Sequence, residues 1–169
     1  MKKTFLLAIF TLILLGCNKE KYDSIPHGYY TMEYQNWAWG YSHSGWIIDS
    51  EGNVNSFNLP NDWNGPDSLG YISESQLIEN ISNCDSKIGS VSKRTLYTHN
   101  KLINDAATGS NSEPESNGAD IGRYAYYCYQ FDTDAGLYKG VVLEVDGDWS
   151  YHNESNAAKS IAKWMKKID

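Results

Sequence analysis

Cysteine, methionine and proline are scarce in this chain: three, three and four among 169 residues. Positive charge is scarce too, with 14 Lys and Arg against 21 Asp and Glu and a formal net charge of -7. A nucleic-acid interface neutralises phosphates with a basic surface, so the acidity argues against that class of partner. The cysteines show no Cys-x-x-Cys spacing. No two of His27, His43, His99 and His152 stand at a metal-ligand spacing. There is no phosphate-cradling glycine loop and no Gly-x-Ser-x-Gly elbow; His43-Ser44-Gly45 is only a fragment of one. The acids include no recognisable glycosidase pair. Asp132-x-Asp134-x-Gly136 opens like a calcium loop, but Leu137 and Leu143 stand where such a loop needs Gly and Glu, so it reads as a turn. Neither a metal nor a cofactor is expected. No period of about 20–50 residues repeats. The apolar run from Phe5 to Leu15 spans about 11 residues, too few to cross about 30 Å of hydrocarbon.

What is present begins with that run. Lys2 and Lys3 precede it, and Leu14-Leu15-Gly16-Cys17 closes it before the polar Asn18-Lys19-Glu20-Lys21. This segment resembles the lipobox and signal peptide of bacterial lipoproteins. The resemblance implies cleavage before Cys17, acylation of Cys17, and a partner in membrane lipid. Two or three acyl chains anchor stably where one does not. In that class Asp after the Cys often means retention at the inner membrane. Asn18 favours the outer membrane, if the host has one. Residues 1–17 are then signal peptide and lipobox, 18–27 a tether, and 28–169 one domain. An exported chain lives where disulfides persist, and Cys84 and Cys128 are the two cysteines left to pair. A bridge would close about 44 residues and stabilise by about 4 kcal/mol. The alternative is two buried free thiols.

Periodicity predicts an α+β domain: an antiparallel sheet built from two hairpins, with about three helices packed on it. The stretch Tyr29 to Trp46 is aromatic, and as a strand it would set Tyr29, Thr31, Glu33, Gln35, Trp37, Trp39 and Tyr41 on one face. The first hairpin runs Gly45 to Asp49 and Val54 to Leu59 about a turn at Ser50 to Asn53. Residues 60–70 are rich in breakers and form a loop. A helix from Ser73 to Asn83 carries a capping box at Ser73 and Gln76, a staple of Ile72 on Leu77, and a stripe of Leu77, Ile78, Ile81 and Cys84. A second runs from Ser92 to Thr108 on Leu96, Ile103, Ala106 and Ala107. Residues 109–122 read as a surface loop. Arg123 to Phe131 has aromatics on both faces and reads as a central strand, paired with Tyr138 to Val145. Asn153 caps a last helix, Glu154 to Ile168, whose apolar stripe faces inward and whose lysines face out.

The aromatics are the functional clue: six Trp and thirteen Tyr. Trp46, Trp39 and Trp164 suit a core. Trp63, between Asn61-Asp62 and Asn64-Gly65-Pro66, is the ring most exposed by context. With Trp37 and Trp39 it is the candidate for ligand contact. Rings flanked by Asn and Asp can stack on sugars while amides bond hydroxyls, and Trp equally anchors protein partners. The reading is a lipid-anchored envelope protein with a non-catalytic binding or structural module. The alternatives are a glycan-binding module or hydrolase of the envelope, and an inhibitor or immunity protein facing an envelope enzyme.

Overall fold

The computed structural model describes residues 28–168. The expected signal peptide, Cys17 and the expected tether lie outside the described residues. The chain runs β1 (Tyr29–Asn36), β2 (Ser42–Ile48), β3 (Asn53–Asn58), β4 (Tyr71–Ile72), α1 (Glu74–Ser82), β5 (Ser86–Ser90), α2 (Lys93–Ala107), β6 (Glu115–Ser116), β7 (Arg123–Asp132), β8 (Leu137–Gly147), β9 (Trp149–His152) and α3 (Asn156–Met165). This is an α+β fold. The described strands form one antiparallel sheet of nine in the order β5-β3-β2-β1-β7-β8-β9-β6, with β4 beside β8. Two hairpins alone do not account for it. β5 and β9 escape a pattern reading because Ser86-Lys-Ile-Gly-Ser90 and Trp149-Ser-Tyr-His152 mix polar and apolar residues without a clean alternation.

Local chemistry explains the elements. In the β2–β3 turn the Asp49 carboxylate accepts the amides of Glu51 and Asn53, and Gly52 takes φ 89°, where a side chain would be strained. Ser73 and Gln76 form the expected capping box on α1, and Ser92 caps α2. The last helix starts later than expected: Ser155, not Asn153, accepts the Ala158 amide. Asn153 is buried instead. Its amide donates to the Ala106 carbonyl at the end of α2, and its oxygen accepts from Ser155 N–H. β1 stops at Asn36, whose side chain accepts the Ala38 amide, so the face shared by Tyr29 to Gln35 does not continue to Tyr41.

The sheet is covered on both faces, with β7 near its centre. On one face α2 and α3 pack Leu96, Ile103, Ile161, Ala162 and Met165 against Tyr30, Trp46, Ile48, Cys128 and Leu143. On the other, α1 and the 59–72 segment cover Tyr29, Ile47, Tyr129 and Tyr138 with Ile72 and Leu77. The α1 stripe differs from expectation: Asn80 is buried, whereas Ile78 is exposed. Cys128 belongs to the first cluster and Cys84 borders the second. The expected Cys84–Cys128 bridge is therefore replaced by two free thiols on opposite faces of the sheet. Burial, aided by Asp85, raises the Cys84 pKa to about 11.

Candidate functional site

The second face is not fully covered, and what stays open is a cleft. Strand alternation sets Tyr29, Thr31, Glu33 and Gln35 in one line along β1. Tyr29 and Thr31 are buried, Glu33 is 9% exposed, and Gln35 reaches the opening. The antiparallel register pairs Gln35 with His43, which makes His43 a diagonal neighbour of Glu33. His43 is 2% exposed, and its Nε2 lies 3.3 Å from Glu33 Oε2. The other carboxylate oxygen accepts the Trp63 indole N–H at 3.3 Å. A carboxylate this deep is tolerable because each of its oxygens has a polar partner of its own.

Trp63 is held from outside the sheet. Asn80 of α1 accepts the Asn64 amide at 2.7 Å and donates to the Asn64 carbonyl at 2.8 Å, and Asn83 donates to the Asp62 carbonyl. This clamp lays the indole against Phe57, with ring centroids 4.1 Å apart, and edge-on to His43 at 5.5 Å. The loop expected to display Trp63 therefore folds it back, half-buried, as one wall of the cleft. The space enclosed with Glu33, Tyr41, Arg123 and Tyr127 is about 350 Å³.

Arg123 stands where this cleft meets a second one. Its guanidinium donates to the Tyr127 hydroxyl and lies 5.7 Å from that ring's centre. Burial disfavours its charge, but Tyr127 and Tyr151 outweigh that and raise its pKa. No ion pair joins Arg123 to a carboxylate among the described residues. The second cleft, about 540 Å³, shares Gln35 and Arg123 with the first and lies between Trp37 and Trp149, with Asp120, Asp148 and Tyr151. Two glycines let the chain segments approach closely beside it. Gly122 takes φ 85°, and a Cβ on Gly147 would fall 1.9 Å from the Gly122 carbonyl oxygen. Trp37 is 63% exposed and Trp149 56%. Trp39, at the tip of the β1–β2 connection, is 89% exposed, so it is not the core residue its neighbours made it look. It lines neither cleft, whereas Trp63 and Trp37 line adjoining ones.

Sequence reasoning passed over Glu33, His43, Arg123 and Tyr127. The Glu33 signal was there: a carboxylate alternating with aromatics on a strand's inner face. His43 needed the β1–β2 register and Arg123 the β1–β7 register. Chemically, the first cleft offers one carboxylate paired with an imidazole, a fixed cation and flat rings. Comparison with family models, curated proteins and solved structures finds no match.

Proposed function

We propose that this protein is a lipid-anchored envelope module that binds a glycan in the joined clefts, with Cys17 as its acylation site. The observation that carries the binding half is the pair of adjoining clefts. Exposed Trp37 and Trp149 flank one, half-buried Trp63 walls the other, and Arg123 and Gln35 sit between them. Rings open to solvent are costly unless something covers them, and a cleft with few convergent polar groups is what a small ligand needs. The anchoring half rests on the Leu14 to Cys17 motif.

Calorimetric titration with soluble peptidoglycan fragments and a panel of oligosaccharides tests the binding half. Trp149→Ala is expected to weaken binding by roughly tenfold or more while leaving the melting temperature nearly unchanged. Unchanged affinity in that variant would remove the clefts from the reading. Trp39 supports a second reading, an inhibitor of an envelope enzyme, because it projects from a loop tip as a wedge would. Loss of function on Trp39→Ala with Trp149→Ala silent would select it. For the anchor, Cys17→Ser should block processing and acyl labelling.

A further inference from the structure

The described residues hold ten Lys and Arg, and seven of them lie on two packed helices: Lys93, Arg94 and Lys101 on α2, and Lys159, Lys163, Lys166 and Lys167 on α3 or at its end. All seven are exposed. The same two helices carry a single acid, Asp105, whereas α1 on the opposite face carries Glu74 and Glu79 and no base. The helices thus sort their charges across the sheet, while Glu113, Glu115, Glu144 and Asp146 line a cleft beside the basic hollow. Ion pairs offset only part of the basic side: Lys93 meets Glu51 at 3.4 Å and Lys166 meets Glu144 at 2.5 Å. The other five have no carboxylate within ion-pair distance among the described residues. The apolar stripe of α3 is spent on the sheet, since Ala157, Ala158, Ile161, Ala162 and Met165 are buried, so the helix offers solvent its lysines rather than a surface for insertion. Lys159, Lys163 and Lys166 ring one shallow hollow of about 260 Å³ with Glu144 and His152.

A second observation points the same way. Gly28, the first described residue, lies against α2: a Cβ on it would meet Asn100 Oδ1 at 2.7 Å and Ile103 Cδ1 at 2.6 Å. The chain that leads back to Cys17 therefore joins the domain at the basic helical layer.

We infer that the α2–α3 face rests on an anionic phospholipid surface and that the clefts on the other side of the sheet point away from it. This builds on the anchoring of Cys17. Acyl chains hold the domain near the bilayer without setting its orientation, and contact of an outward lysine face with acidic headgroups supplies that orientation. Each cation near such a surface favours the contact by roughly fivefold at moderate salt, and the effect fades as salt shortens the Debye length.

The experiment uses the acylated protein reconstituted on vesicles of phosphatidylcholine alone, or of phosphatidylcholine with phosphatidylglycerol. Lysines are labelled with a membrane-impermeant acylating reagent and read by mass spectrometry. Co-flotation with both vesicles, and several-fold slower labelling of Lys159, Lys163 and Lys167 on the anionic vesicles only, is the expected result. Lys87 and Lys139, outside the helices, should be unaffected, and high salt should erase the difference. Co-flotation with equal labelling on the two vesicles would overturn the orientation and leave the anchor standing. Uniform slowing that includes Lys87 and Lys139 would overturn it as well. Flotation with neither vesicle would overturn the anchor and the orientation together. The Lys159→Gln, Lys163→Gln, Lys167→Gln variant, changed only at exposed sites, should still float and lose the vesicle-dependent protection of Lys93 and Lys101.

Discussion

The two faces of the sheet are built from different materials. The α2–α3 face is mainly aliphatic, with Tyr30 and Trp46 among its core residues, and closed: Ile161, Met165, Leu143 and Cys128 are at or below 1% exposure, and the main polar intrusion, Asn153, spends its amide on the end of α2. The α1 face is aromatic and polar. It buries Glu33 and His43 beside Tyr129 and Phe57, and it is covered by a nine-residue helix and a loop that leave a cleft. A closed aliphatic layer gives stability with little chemistry. An incompletely covered aromatic layer with a buried carboxylate gives up some stability for a site.

The contrast can be broken by substitution. Ile161→Ala on the closed face should cost about 2–5 kcal/mol, because a fully buried side chain leaves a cavity that packed helices cannot fill. Trp63→Ala on the open face should cost less, roughly 1–3 kcal/mol, since one side of that ring already faces the cleft. Urea unfolding of both variants measures the difference, and equal costs would show the cleft wall to be ordinary core.

A smaller effect tests the seam between the helices. His99 stacks on Trp164 at 3.9 Å, and burial lowers its pKa against the opposing pull of the Thr95 carbonyl. The folded state then takes up its proton at lower pH than the unfolded state, whose histidine titrates near about 6.5. Below that value the unfolded chain binds more protons, so stability falls as pH drops toward the depressed folded value and levels off beneath it. His99→Phe should remove this slope: the melting temperatures of wild type and variant should diverge between neutral and mildly acidic pH. Parallel curves would show that His99 does not contribute.

The smallest expected effect is none. With Cys84 and Cys128 on opposite faces, a reducing agent should leave the melting temperature unchanged, and unfolded, unreduced protein should titrate two thiols besides any at Cys17. A marked loss of stability on reduction would require the two faces to be joined in a way the packing does not allow.

Much of the scaffold could be read locally. The capping box at Ser73 and Gln76, the Ser92 start of α2, the turn at Gly52, the α3 stripe and the central position of Arg123 to Phe131 all follow from residues within a few positions of one another. Errors appear where a local cue competes with a distant partner. Asn153 looks like a cap, but it is drawn into the core by the Ala106 carbonyl. Ile78 looks inward-facing, but the buried position goes to Asn80, which clamps the Trp63 loop. Trp39 looks like core in an aromatic run, but Asn36 ends the strand before it.

By itself, then, the chain determined its helices, turns, principal strands and α+β class, because propensity, capping and periodicity act over a turn or a hairpin. Only the tertiary structure decided that Glu33, His43, Trp63 and Arg123 converge, that Cys84 and Cys128 do not, and that the bases gather on one side of the sheet. These depend on strand register and on which face each helix covers. Both are set by long-range packing between residues 22 to 100 positions apart, which no local pattern encodes.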